Sequence, residues 1–182
     1  MANQSDDPDF EGEITPARVK TGSHRPPPAA PEWVLNAYAE YKRGVHEVPG
    51  PGANPRVLEY FKATSLKGNP LASSDETAWC SAFVCWCLEQ SGIRSTRNTM
   101  ARSWLQWGTP MPLDKEPPYG AVAIFWRGVP QGASGHVGFY AGREGGQLWI
   151  LGGNQFNSVS LAKYPAMRLL GYRWPTATFV KK

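Results

Sequence analysis

The apolar positions of this chain follow two patterns, helical in the first half and strand-like in the second. Between Glu32 and Arg43, Trp33, Val34, Ala37, Tyr38 and Tyr41 recur at helical spacing and Gly44 ends the run, which predicts an amphipathic helix. Asn54-Pro55 reads as a second helix start, with Asn capping, Pro in the first turn, and Val57, Leu58, Tyr60 and Phe61 forming the buried face. A third run, Trp79 to Leu88, is apolar almost throughout and follows the turn-forming stretch Ser73-Ser74-Asp75-Glu76-Thr77. It predicts a helix opening at Cys80 and closing at Gly92, a suitable C′ residue. Thr99 to Trp107 predicts a short helix that Gly108 and Pro110 stop. Beyond these, Ala121 to Trp126, the segment entered at His136, Gln147 to Leu151, Ser158 to Ala162 and Leu169 to Trp174 predict about five strands. Helices first and antiparallel strands after is an α+β arrangement, with the helices packed on one face of the sheet.

Composition limits this to one domain. At 182 residues, 41% hydrophobic and 12% aromatic, the chain can bury a single good core. Residues 1–30, with Arg25-Pro26-Pro27-Pro28, read as a flexible leader, and residues 31–182 as the folded domain. Most of the eight tryptophans, Trp86 among them, are expected in the core. A net charge of +4 suits an anionic envelope, yet the basic residues are scattered. No recognition-helix motif or basic stretch interleaved with aromatics points to nucleic acid. No stretch reaches the roughly 20 apolar residues that span a bilayer.

The candidate chemistry begins with cysteine. All three, Cys80, Cys85 and Cys87, lie on one short helix, where they are badly placed to bridge one another. They lack the paired spacing of a zinc site, so no metal is expected. Cys85 and Cys87 read as core thiols. Cys80 has two readings, a buried small hydrophobe or a nucleophile, because the first turn of a helix offers unpaired N–H groups and a positive dipole end that favour a thiolate. His136 bears on that choice. It opens a strand, whereas His24 lies in the Pro-rich leader and His46 in a Gly/Pro loop, so it is the one histidine expected on a rigid element. The strand Gln147 to Leu151 should pair with the His136 strand as an antiparallel hairpin and bring Asn154 close to the imidazole. An amide there can hold the ring in one tautomer. Strand alternation lets only one of Asn154 and Gln155 reach it easily; Asn154 is preferred and Gln155 is the alternative. Trp79, just before Cys80, is a candidate for lining a cleft.

Trp79-Cys80-Ser81-Ala82-Phe83, Gly135-His136-Val137-Gly138-Phe139-Tyr140 and Leu151-Gly152-Gly153-Asn154-Gln155, in that order, resemble the CHAP and NlpC superfamily of papain-like peptidoglycan hydrolases. The nearest resemblance is to small CHAP-like phage, prophage or effector amidases, and it extends over roughly Trp33 to Pro175, including Asn54-Pro55, Ala101 to Gly108 and Leu170-Gly171-Tyr172-Arg173. It differs from many CHAP amidases at Gly152-Gly153, where those have a glutamate. The resemblance implies a papain-like fold, Cys80 as nucleophile, His136 as base, Asn154 as orienting residue, and no cofactor. It also implies a wall-peptide substrate, cut at the muramoyl–alanine amide or within the stem peptide. A Cys–His acyltransferase of transglutaminase type and a non-catalytic peptidoglycan-binding module are the alternatives. Met1 to Phe10 has neither a basic n-region nor an apolar h-region. A wall substrate would then imply synthesis in a bacterial cytoplasm and action in the periplasm or cell wall after phage lysis or secretion of type VI kind. Candidate partners on that route are an immunity protein and a component of the secretion apparatus.

Overall fold

A computed structural model of the protein describes Thr15–Pro16 and residues 25–176. Three α-helices come first: α1 (Glu32–Arg43), α2 (Pro55–Phe61) and α3 (Cys80–Gln90). The strands are β1 (Thr15–Pro16), β2 (Thr109–Met111), β3 (Val122–Trp126), β4 (Gly135–Glu144), β5 (Gln147–Gln155), β6 (Ser158–Pro165) and β7 (Leu169–Trp174). They form one antiparallel sheet in the order β1-β6-β5-β4-β3-β7-β2. The α+β class and all five expected strands are present. The two additions are short edge strands whose sequences carry little alternation: β2, and β1, which lies within the expected leader and pairs with β6 at Lys163 and Ala162. Residues 1–14 and 17–24 of that leader, and Lys181-Lys182, lie outside the described residues; residues 25–30 are described and form a turn in which the Ala30 N–H donates to the Pro27 carbonyl at 2.9 Å.

Local chemistry explains the helix ends. Gly44 closes α1 in the left-handed conformation (φ 66°), where a Cβ would be strained, while Glu32 in the first turn and Lys42 and Arg43 in the last match the helix dipole. The Asn54 side chain accepts from the Arg56 N–H at 2.8 Å, as its sequence position predicts. The Thr99–Trp107 segment forms a 3-10 helix, Ala101–Gln106, in place of the expected α-turns. It is short, and Ser103 Oγ donates to the Met100 carbonyl at 2.7 Å.

Both faces of the sheet are buried, with different fillings. Val122, Ile124, Val137, Phe139 and Leu151 meet the helices, and α3 is apolar around nearly its whole girth because it lies between the sheet and α1 and α2. The opposite face holds Ala123, Phe125, Tyr140, Ile150, Tyr164 and Tyr172. Two registers matter for the site: Phe125 stands opposite His136, and Phe139 opposite Leu151. They bring the start of β4 and the end of β5 to the same end of the sheet. Among the described residues, no helix is long and apolar enough to cross a membrane.

Candidate active site

Cys80 is the first residue of α3, and Trp79 before it supplies no side-chain cap to the helix. The sulfur lies within hydrogen-bonding reach of the backbone at Val137, the residue after His136 in β4. Helix start and strand start therefore meet at one point. Both candidate reacting groups are closed off from solvent, Cys80 being 3% and His136 1% exposed.

The third position differs from the preferred expectation. His136 Nε2 faces Gln155 Oε1 at 3.1 Å, while Asn154 lies elsewhere. The reason is the backbone: Asn154 adopts φ 55°, which breaks the simple alternation of β5, and the β5–β6 register shifts between Gly152 and Gln155. Gln155, the alternative in the sequence, is thereby turned to the imidazole. The Asn154 carboxamide lies against Trp79. With its oxygen turned that way it accepts from the Trp79 backbone N–H (3.2 Å) and indole N–H (3.0 Å). It thus holds the residue that precedes Cys80.

The Gln155 amide cannot rotate freely. Its Nε2 donates to the Ser160 carbonyl at 2.7 Å and to the Ile150 carbonyl at 3.3 Å, and carbonyl oxygens only accept. Oε1 must therefore be the atom presented to His136, so the imidazole Nε2 carries the proton and donates. Nδ1 is left with its lone pair. A neutral histidine in this tautomer has its basic nitrogen fixed by a neighbour that is itself held by carbonyls of β5 and β6. The ring is further held by stacking on Tyr164, with centroids 4.8 Å apart and planes within 9°.

Two glycines make room for this arrangement. A Cβ on Gly152 would come 2.9 Å from Gln155 Oε1 and 3.5 Å from His136 Nε2. A Cβ on Gly153 would come 2.5 Å from the Trp79 ring and 2.7 Å from Phe83, prising β5 away from the start of α3. The departure from the usual glutamate at this place thus has a steric basis.

Burial sets the charge state. It pushes the Cys80 thiol above its ordinary value, against the charge of Arg127 and hydrogen bonding from the backbone at Val137, Ser81 and Cys80 itself. It pulls His136 down to about 3, with Arg127 acting in the same direction and Gln155 opposing. The thiolate that the helix dipole favours is therefore not the resting state; burial leaves thiol and imidazole both neutral. Trp79 is corrected as well. It is fully buried, with its indole donating to Glu47 Oε1 at 2.7 Å, and so does not line an open cleft.

Sequence reasoning missed Arg127 and Glu47. Arg127 follows β3 directly, is buried, and its backbone N–H bonds the Ser134 carbonyl at 3.3 Å, two residues before His136. A charge ending the apolar run Ala121 to Trp126 was its only signal. Glu47 lies in a Gly/Pro loop without periodicity. Burial raises its carboxyl above the ordinary range, the Trp79 hydrogen bond opposes this, and the charges of Glu76 and Asp75 add to it.

Residues 72–154 match the family model of the CHAP domain. That segment runs from before Cys80 to Asn154, one residue short of the end of β5, and contains Cys80, His136 and Asn154, so the resemblance seen in the three sequence blocks is borne out at the level of the domain. The match implies a papain-like fold and is consistent with a CHAP/NlpC-superfamily peptidoglycan hydrolase. CHAP domains are generally hydrolases of peptidoglycan, acting as amidases or peptidases. No curated protein and no solved structure gives a significant match.

Proposed function

We propose that the protein is a cysteine peptidoglycan hydrolase that cleaves an amide bond of the wall peptide. The observation that carries this reading is the hydrogen bond from His136 Nε2 to a Gln155 amide pinned by β6, which leaves Nδ1 as the basic nitrogen in a strand whose next residue, Val137, has its backbone within hydrogen-bonding reach of Cys80. A core histidine needs only a satisfied ring. A pinned tautomer in the strand that meets the start of the cysteine helix suits proton transfer.

The reaction starts from neutral groups. His136 Nδ1 takes the Cys80 thiol proton as sulfur attacks the scissile carbonyl, and the tetrahedral oxyanion is met by backbone N–H groups at the start of α3. Collapse breaks the C–N bond, and His136 gives its proton to the leaving amine. Water then attacks the thioester, losing a proton to Nδ1, which returns it to the Cys80 sulfur as the acid departs. Gln155 stabilises the transient imidazolium, and the Arg127 charge favours thiolate character while opposing protonation of the ring. Each step uses groups of the chain itself and water.

The test is digestion of purified peptidoglycan by wild type and by Cys80→Ala, with fragment masses read out. Fragments with added water, absent for the variant, support hydrolysis at Cys80. New amides would indicate transfer, and equal digestion by both proteins would remove Cys80 from the mechanism. Fragment masses also tell a muramoyl–alanine cut from one within the stem. With this substrate, action in the periplasm or cell wall, reached by lysis or secretion, is part of the proposal.

A further inference from the structure

The hairpin that presents Gln155 closes in an unusual way. Gln155 pairs with Ser158, and Phe156 and Asn157 form the two-residue turn between them, at φ 52° and 55°. A turn with both central residues at positive φ favours Asn-Gly, Asp-Gly or Gly-Gly, because a Cβ is crowded there. Asn157 fits the rule. Phe156 is a bulky aromatic in a left-handed conformation, an outlier for its residue type.

Core packing does not account for it. Phe61, Phe83, Phe125 and Phe139 are fully buried, whereas Phe156 is 38% exposed. Its position is nonetheless firmly held. The Asn157 carbonyl accepts from the Glu47 N–H at 2.8 Å, and His46 forms a bridge to Ser158. Val48, next along the bracing loop, is also exposed. The strained residue directly follows Gln155, whose amide holds His136. Strain concentrated beside a site, on an aromatic residue that stands outside the buried core, points to a use there.

We propose that Phe156 is a substrate-contact residue, presenting its ring at the rim of the site to an apolar face of the wall fragment. That face is either the C–H side of a sugar ring or an alanine methyl group. The inference rests on the reading of the site as a peptidoglycan hydrolase.

The experiment compares wild type, Phe156→Asn and Phe156→Trp by thermal unfolding and by steady-state kinetics on a disaccharide-peptide and on the free stem peptide. Phe156→Asn should melt about 2–4 °C higher, as left-handed strain is relieved. Its kcat/KM should fall about tenfold, with the loss in KM, as expected when binding contact alone is removed. Phe156→Trp should recover the KM. A KM effect confined to the disaccharide-peptide assigns the contact to sugar; an effect on both substrates assigns it to peptide. Unchanged KM on both substrates, or a lower melting temperature, overturns the proposal. Wild type that cuts neither substrate overturns the hydrolase reading itself; wild type that cuts with Phe156→Asn its equal overturns this inference alone.

Discussion

Two of the polar clusters buried among the described residues solve the same problem in opposite ways. In the helical layer, Glu40 of α1 accepts from Arg56 at 2.6 and 2.8 Å, from Tyr60 Oη at 2.6 Å and from Arg43 at 2.7 Å. Burial pushes the Glu40 carboxyl up, but the hydrogen bonds from Arg56 and Tyr60 and the charges of Arg56 and Arg43 outweigh it and hold it below its ordinary value. The Arg56 guanidinium also lies 4.6 Å over the Trp86 ring, so the cluster ties α1, α2 and α3 together. At the candidate site, His136 has one amide for its Nε2, and burial keeps it neutral. A charge with every partner in place holds elements together. A neutral base keeps its lone pair available for the thiol proton, though burial makes the imidazolium costly to form.

The sharpest break of this contrast comes from removing one group from each cluster. Cys80→Ala is expected to lower kcat/KM by about 10⁴-fold or more while leaving the chemical denaturation midpoint nearly unchanged, since the lost sulfur is small. Glu40→Ala should do the reverse. It leaves the Arg56 charge beside apolar surface and should cost about 3 kcal/mol of stability in urea titrations, with activity per folded molecule preserved. If Glu40→Ala instead reduced turnover without unfolding the protein, the separation of structural from reacting cluster would fail.

A middle-sized test concerns the two amides at the end of β5. Gln155→Ala frees the tautomer of His136 and should lower kcat by about 10–100-fold. Asn154→Ala, which releases Trp79 and not the imidazole, should have a smaller effect on kcat and a larger one on thermal stability. The reverse order would return the orienting role to Asn154.

This pair also marks where the sequence stopped being readable. Helical spacing placed α1, the Asn54 cap marked α2, and the change from turn residues to an apolar run placed Cys80 at the start of α3, because each signal is local. His136 could be read the same way, as the first residue of a glycine-bounded strand. The choice between Asn154 and Gln155 could not. It turns on a left-handed residue and a register shift that depend on the packing of Gly153 against Trp79 and Phe83, contacts between segments some seventy residues apart. Alternation is a rule about regular strands, and this one is irregular at the position that matters. Glu47 and Arg127 were hidden for a related reason: their burial comes from the meeting of loops with the sheet, which leaves no period in the chain.

Acid titration separates the clusters by pH window. His136 has an ordinary pKa of 6.5 and about 3 in the folded protein, so between those values the unfolded chain binds the extra proton. Its stabilising contribution is complete above pH 6.5 and declines as pH falls to about 3, with a slope of up to about 1.4 kcal/mol per pH unit. Glu40 also has a lowered pKa, but from 4.5, so its contribution begins to fall only near and below that pH and is lost as pH drops through the folded value. Urea midpoints measured from pH 7 to 4 should therefore slope downward first because of His136. His136→Asn should flatten that slope between pH 6.5 and 5; an unchanged slope would assign it to other groups.

The smallest expected effect tests the cation whose charge bears on both candidate reacting groups. Arg127 lowers the pKa of Cys80 and of His136 alike, aiding the thiolate while resisting imidazolium formation. Because attack requires neutral His136, the acid limb of kcat/KM should lie well below the ordinary histidine value in wild type. Arg127→Met removes the charge and keeps an apolar stem, so the limb should move toward neutral pH by about one unit, the size expected for one nearby charge. Cys80 should move with it. Alkylation by a small thiol reagent, followed against pH, would then rise at higher pH in Arg127→Met than in wild type, whatever the substrate. A shift in both profiles requires the charge to act on both groups. A shift in alkylation alone would leave Arg127 with the nucleophile and remove it from the control of the base.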